Sequence, residues 1–455
     1  MDRDSGRPPR ARRFALTAIG VLLLAAVAGF VLLFLAIPKG LSPGPGWAPK
    51  MADVWRRMFP FPRQPMTQLG YQRASLALLM TSWTLWGAGL WLVGRAQDAG
   101  ERVAMGRIVM AVAVIGRLLL ILLPPLTSAD FIRYLLFGKM IAVHHLNPLV
   151  TPATALVGDP MLQFTAWPGH ASIYGPPLLW IAALVARLCG GDVVLAAIAF
   201  KAVFAAADIG VCLLIRKLVR EADAPNEIAA VAIYAWSPVA LLESAVGAHT
   251  EPLMMAPALA GLLLARRGRH IEAAFALFVL SASVKYLTGT LAVLYFIHAV
   301  GAEPDARRRI VRAGRLFAVG AVMLVILYLP FWSPDMLRHA FEHLSGGRHL
   351  APAGEPARPA LSPLALGAMA LLGVGALGLA LRGTLSRIVD ASAALMLAFL
   401  QLVFQYQFSW YFMAPLALAA PGTRTRLNRV VLVATVVLAI AWMIPYGILF
   451  GVPPE

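Results

Sequence analysis

An all-α, polytopic membrane protein is the fold class this sequence predicts, and three observations predict it. The 455-residue chain is 60% hydrophobic and only 13% charged, whereas a soluble chain carries roughly 25% charged residues. Its mean hydropathy is +0.75. That composition leaves too little charge to coat water-soluble domains, which excludes a soluble enzyme or a disordered chain. Second, apolar stretches of about 20 residues recur along the chain, each long enough to cross a bilayer. Third, the net charge of +17 comes from short Arg clusters between the apolar stretches. Such clusters are the pattern of cytoplasmic loops rather than of a nucleic-acid-binding face. Cys189 and Cys212 both lie in apolar surroundings and give neither a disulfide framework nor a zinc spacing.

The N-terminal MDRDSGRPPRARR precedes an apolar stretch from Phe14 to Ile37. A signal-peptide core is about 7–15 residues, so this longer stretch is expected to be a retained first span with a cytoplasmic N-terminus. The Pro- and Gly-rich segment that follows is expected outside, although it carries Lys39, Lys50, Arg56, Arg57 and Arg63. Spans near Gln72–Val93 and Val103–Leu123 flank Arg95, Arg102 and Arg107, and a long non-spanning segment begins at Pro124. Further clusters stand at Arg216/Lys217/Arg220, Arg266/Arg267/Arg269, Arg307–Arg309 with Arg312 and Arg315, Arg382/Arg387, and Arg424/Arg426/Arg429. All are cytoplasmic if Leu178–Cys189, about 12 residues and under 20 Å as a helix, does not cross fully. About 13 crossings result, with 24 of the 39 basic residues inside, and that asymmetry orients the chain in a cell membrane. The expected divisions are three N-terminal spans (1–123), an extracytoplasmic loop with interfacial helices (124–192), a transmembrane core (193–331), a second outer loop (332–360) and C-terminal spans (361–455).

Two apolar stretches look broken. Ile271–Ala299 is interrupted at Ser283-Val284-Lys285, and Val389–Ala420 at Gln405-Tyr406-Gln407-Phe408-Ser409. Irregular backbone at membrane depth survives only against protein or a water-filled cavity, so both breaks are expected to line a pocket. Lys285 is the most informative cation. A lysine in an apolar run costs about 2.5–3.5 kcal/mol on insertion scales, so it calls for a partner or an anionic ligand. The alternative is snorkelling. Lys201 and Asp208, seven apart in one span, share a helix face and are expected to pair with other spans.

After the third span, Asp130 begins a segment, roughly Phe131–His144, that reads as an amphipathic helix lying at the outer interface. TSAD also reads as a capping box through Thr127, with no chemistry. Arg133 and Lys139 are expected to meet lipid headgroups. In Gly247-Ala248-His249-Thr250-Glu251-Pro252, His249 and Glu251 are either site residues or a cap by Thr250 with Glu251 on the helix dipole. Trp410 and Tyr411 fit sugar stacking or an aromatic belt.

The runs SADFIRYLLFGKMIAVHHLNP, SIYGPP, GAHTEPLMMAPALAGLLLARRGR and SASVKYL together resemble GT-C glycosyltransferases. The likeness is greatest to bacterial polyprenol-phosphate-mannose-dependent mannosyltransferases, over about Pro124 to Phe296. The resemblance implies an inverting transfer of a sugar, mannose above others, from a polyprenyl-phosphate donor to a lipid-linked glycan or glycolipid acceptor at the extracytoplasmic face. It implies Asp130 as catalytic base and Lys285 near the donor phosphate, helped by Arg133 or Arg338. His249 and Glu251 match its second acidic motif, with Glu where Asp is commoner and Pro252 in place of Ala. Tyr174, Gln407, Trp410 and Tyr411 are expected substrate contacts. No cofactor is indicated, a divalent metal being left open, and the expected partners are the donor, the acceptor and membrane lipids, with no nucleic acid. A flippase or transporter of lipid-linked glycans shares the broken helices, and a ligase would suit the basic loop holding Arg338, His339, His343, Arg348 and His349.

Overall fold

The computed structural model describes residues 9–35, 67–96, 98–123, 125, 128, 130–165, 168–223, 226–338, 362–403, 408–422 and 425–449. These residues form helices and connections, with no strand among them. Among the described residues, eight helices are long and apolar enough to cross a membrane. They are α1 (Pro9–Leu35), α2 (Gln68–Val93), α3 (Ala99–Leu120), α6 (Val193–Asp223), α11 (Ala306–Tyr328), α12 (Pro363–Arg382), α13 (Leu385–Leu402) and α15 (Arg426–Leu449). Between them lie α4 (Asp130–Ala142), α5 (Pro176–Cys189), α7 (Glu227–Ala235), α8 (Glu251–Arg266), α9 (Ile271–Val284), α10 (Gly289–Gly301) and α14 (Met413–Ala419). The chain is a polytopic all-α membrane protein. Helix starts are capped by short polar side chains: Asp98 accepts from the Glu101 amide and Asp305 from the Arg308 amide.

Both expected breaks exist. Helix α9 ends at Val284, Lys285 is extended (φ −157°, ψ 130°), and one 3-10 turn, Tyr286–Thr288, leads into α10. Helix α13 ends at Leu402, and the chain resumes as a 3-10 turn, Ser409–Phe412, before α14. Gln405, Tyr406 and Gln407 lie outside the described residues, as do Thr127, His339, His343, Arg348 and His349. A third break was not foreseen. Helix α7 stops before Pro238, which has no N–H to continue the ladder. The chain turns by 51° into Pro238–Val246, whose last six residues, Leu241–Val246, form a π-helical turn. Helix α5 has 14 residues, about 21 Å of rise, too short for a hydrocarbon core of about 30 Å.

One expectation is corrected. Helix α4 does not lie with one face open: Phe131 through Gly138 are all buried, together with Met140. The reason is its composition, apolar nearly all round, which makes an enclosed helix rather than a surface one. It packs on α5 so closely that a Cβ at Gly138 would overlap the Ala182 carbonyl. Together α4, α5, the start of α6 and the intervening turns form a second hydrophobic core beside the main one.

Buried charges within the spans are matched to neighbouring helices. Asp208 of α6 accepts from Arg117 Nε of α3 (2.6 Å), Tyr234 (2.6 Å) and Ser244 Oγ (2.8 Å). The last of these anchors the π turn. Lys201 donates to the Leu120 carbonyl (3.1 Å) and the Leu123 carbonyl at the end of α3, where a cation complements the exposed carbonyls. The arginine-rich helix ends meet at one end of the bundle: Arg267 pairs with Glu221 (2.6 Å), Arg312 with Glu272 (2.6 Å) and Arg12 with Glu101 (2.7 Å). Since α8 runs from Glu251 to Arg266 and α9 back from Ile271 to Val284, Glu251 and Lys285 lie at the opposite end.

Candidate active site

At that opposite end five connections converge. Asp130 starts α4, its amide bound by Ser128 Oγ (3.0 Å). Tyr174, in the turn before α5, donates its hydroxyl to Asp130 Oδ2 (3.2 Å). The segment after the π turn reaches the same carboxylate. Ala248 takes a left-handed conformation (φ 58°), strained for a residue with a Cβ. It carries His249 inward, where the His249 amide donates to the Glu243 carbonyl (3.0 Å). His249 Nδ1 then lies 3.5 Å from Asp130 Oδ2 and Nε2 lies 3.3 Å from Glu243 Oε2. Trp410 stacks on the imidazole (centroids 3.8 Å apart, 15° between planes), and Phe408 stacks on Trp410 (4.4 Å, 5°). Ser409 Oγ donates to Glu243 Oε1.

Beside this runs a second charged pair. Lys285 Nζ sits 2.5 Å from Glu251 Oε1, both side chains buried, with the Tyr411 ring 4.2 Å and the Tyr174 ring 5.9 Å from the ammonium. Lys285 therefore does not snorkel. Thr250 makes no side-chain capping bond, so Glu251 is a partner of Lys285 rather than part of a capped helix start. The turn bearing Tyr174 is locked to the break bearing Lys285, because the Gly175 amide donates to the Val284 carbonyl (3.1 Å). A Cβ at Gly175 would overlap the Ser283 carbonyl. Gly175→Ala is expected to cost about 1–3 kcal/mol, the usual range for overpacking, and to separate Tyr174 from Lys285. A thermal unfolding midpoint equal to that of the unmodified protein would show that the two segments are not in close register.

The electrostatics follow from these contacts. His249 and Asp130 both belong to connections outside the spanning segments. Burial alone would lower the His249 pKa, but carboxylates at both ring nitrogens outweigh it and push the value up to about 9. Burial by itself would raise the Asp130 carboxyl, yet His249, then Arg133 and Lys285, hold it below the ordinary value. At neutral pH Asp130 is thus a carboxylate and His249 an imidazolium, with Glu243 on the far side of the ring. The structure brings together Asp130, Tyr174, His249, Glu251, Lys285, Trp410 and Tyr411. Arg133 stands on the turn of α4 next to Asp130, buried, with one guanidinium nitrogen on the Ala171 carbonyl (3.1 Å). Arg338 is not brought in: it is exposed and pairs with Asp335 (3.2 Å). Trp410 and Tyr411 are buried, which removes the aromatic-belt alternative.

Residues 23–302 match the sequence profile of the MptA/B family, described as alpha-(1->6)-mannopyranosyltransferase, N-terminal domain. The chain belongs to this family. It is 29% identical over 214 residues to alpha-(1->6)-mannopyranosyltransferase A of Corynebacterium glutamicum, covering 46% of this chain and 42% of that protein. It is 32% identical over 156 residues to a protein of Mycolicibacterium smegmatis named as a probable alpha-(1->6)-mannopyranosyltransferase, covering 33% and 27%. The matched stretches thus span less than half the length of either relative. No solved structure matches the chain significantly. Asp130, Tyr174, His249, Glu251 and Lys285 all fall inside the family match, whereas Trp410 and Tyr411 lie beyond it.

Sequence reasoning missed Glu243, and marked Phe408 and Ser409 only as part of the second break. Glu243 had a usable signal, a lone carboxylate inside the apolar run PVALLESAVGA. An ionisable residue in such a run is a candidate site residue by default.

Proposed function

We propose that the protein is an integral-membrane, inverting mannosyltransferase. It moves mannose from a polyprenyl-phosphate donor to a hydroxyl of a lipid-linked glycan or glycolipid, with Asp130 as general base. The observation that carries this reading is a difference in access among three clustered carboxylates. The Asp130 side chain is 19% exposed, against 1% for Glu243 and 0% for Glu251. Only Asp130 can meet an incoming hydroxyl, and it is held ionised to do so.

The chemistry balances on these residues. The acceptor oxygen attacks the anomeric carbon from the face opposite the phosphate, and its proton passes to Asp130. The carbon–oxygen bond to the phosphate breaks, and the polyprenyl phosphate leaves as a dianion. That leaving group needs cations rather than an acid. Lys285 and Arg133 are the buried cations of the cluster. Arg133 Nε, Thr250 Oγ1 and Glu251 Oε2 are buried without a hydrogen-bond partner, a pattern that fits groups reserved for a ligand. A β-linked donor would give an α-linked product, in keeping with the α-(1→6) linkage in the names of the relatives. With the arginine-rich helix ends in the cytoplasm, as the positive-inside rule asks, the cluster faces the extracytoplasmic side of the cell membrane.

The test is transfer in proteoliposomes with radiolabelled polyprenyl-phosphate mannose and a mannolipid acceptor. Labelled, chain-extended glycolipid is the expected product. Movement of the labelled donor across the bilayer with no extended product would replace the enzyme with a flippase.

A further inference from the structure

We propose that Glu243 is a positioning residue for the transfer proposed above, acting through His249 to keep the Asp130 carboxylate aimed at the acceptor hydroxyl. The inference rests on that reading of Asp130. Glu243 itself is sealed from the substrate side, 1% exposed, with Ser409 on one oxygen and His249 Nε2 3.3 Å from the other. It reaches Asp130 only across the imidazole, whose Nδ1 is 3.5 Å from Asp130 Oδ2.

The chain is shaped to make this contact. A π turn holds Glu243, π turns inside helices are uncommon, and they recur at functional sites. The strained Ala248 and the His249-to-Glu243 backbone bond bring the ring back over the turn that carries Glu243. A Cβ at Gly247 would come within 2.7 Å of the ring and 2.9 Å of Glu243 Oε2, so the turn leaves no slack. Trp410 closes one ring face. A buried imidazole that only filled space would need neither a second carboxylate nor a strained approach.

Besides Glu243, the group acting on His249 is Asp130 of α4. Arg133 of α4, Tyr174 of the turn before α5 and Lys285 of the α9 break act on Asp130 in turn, while Glu251 of α8 and Tyr411 of the Ser409–Phe412 turn lie against Lys285. Of the anions, Glu251 is taken up by Lys285, so Asp130 and Glu243 are the two that flank the ring. With both present, each nitrogen carries a proton and the ring orientation is fixed. Without Glu243, Nε2 loses the carboxylate 3.3 Å away and the ring becomes neutral at lower pH. Asp130 is then left beside a neutral imidazole held by a carboxylate on one side only.

The experiment is the pH–rate profile of mannosyl transfer for the full-length protein and for Glu243→Gln, with the donor KM measured in each. In the unmodified protein, transfer is expected to decline as pH rises through about 9, where His249 loses its proton. In Glu243→Gln the decline is expected to move toward about 6.5, the ordinary histidine value. Turnover at neutral pH should fall about tenfold, less than the roughly 10²–10⁴-fold of losing a general base outright, and the donor KM should stay within about threefold. His249→Gln should lose the alkaline decline altogether. An alkaline decline in Glu243→Gln at the unmodified position overturns the inference. If Glu243→Gln does not fold, Glu243→Asp decides: the longer contact should shift the decline acidward, and lowered turnover with no shift would mark Glu243 as structural only. Absence of transfer by the unmodified protein would instead overturn the proposed function.

Discussion

Asp130→Asn is expected to abolish sugar transfer while the protein still inserts and folds. The substitution keeps size and the ability to accept from the Tyr174 hydroxyl (3.2 Å), but removes the basicity proposed to take the acceptor proton. General-base assistance is worth about 10²–10⁴-fold, and turnover should fall by that much. The stability cost should be modest. The carboxylate is part-exposed, and His249 keeps Glu243 as counterion. Turnover and thermal unfolding midpoint, measured on the same preparation, separate the two effects. Transfer at the unmodified rate would remove Asp130 from the chemistry.

The second large effect concerns Lys285. Lys285→Ala removes the cation proposed to meet the donor phosphate and also leaves Glu251 as an uncompensated buried charge. Breaking a buried pair from one side costs about 3–5 kcal/mol, so the single variant should be strongly destabilised. Lys285→Met combined with Glu251→Leu removes both charges and should regain most of that stability, since apolar replacement of a buried pair is often neutral or better. If Lys285 serves the donor, the stable double variant still binds it poorly. Unfolding midpoints of the single and double variants, set beside the donor KM of the double one, read the two roles apart. A double variant with unchanged donor KM would reduce Lys285 to a structural role.

Much of this architecture was legible because the signals are local. Apolar run lengths mark the spans, and the polar interruptions at Ser283-Val284-Lys285 and before Ser409 mark the breaks. A lysine or carboxylate in a chain this poor in charge is conspicuous. Asp130, His249, Glu251 and Lys285 could be singled out on those grounds and do meet. What could not be read was pairing. That Glu251 belongs to Lys285, and His249 to both Asp130 and Glu243, depends on how α4, α8, α9 and the π turn approach one another, which no local pattern encodes. Helix α4 was misjudged for a related reason. Its charged residues suggested a wet side, but Lys139 is satisfied by Asp159 (2.8 Å), and Arg133 lies over the Phe137 ring (5.4 Å). Charges of a helix can be matched inside protein as well as in water.

The π turn has a consequence for how this segment tolerates change in length. It accommodates one residue more per turn than a regular helix, and each residue of an α-helix turns the chain by about 100°. Deleting Ser244, Ala245 or Val246 would leave an apolar segment able to relax into ordinary helix. The residues on either side of the deletion would then be rotated relative to one another. Glu243 and His249 could no longer face each other, although both would still be present. At this position the number of residues carries information that their identities do not.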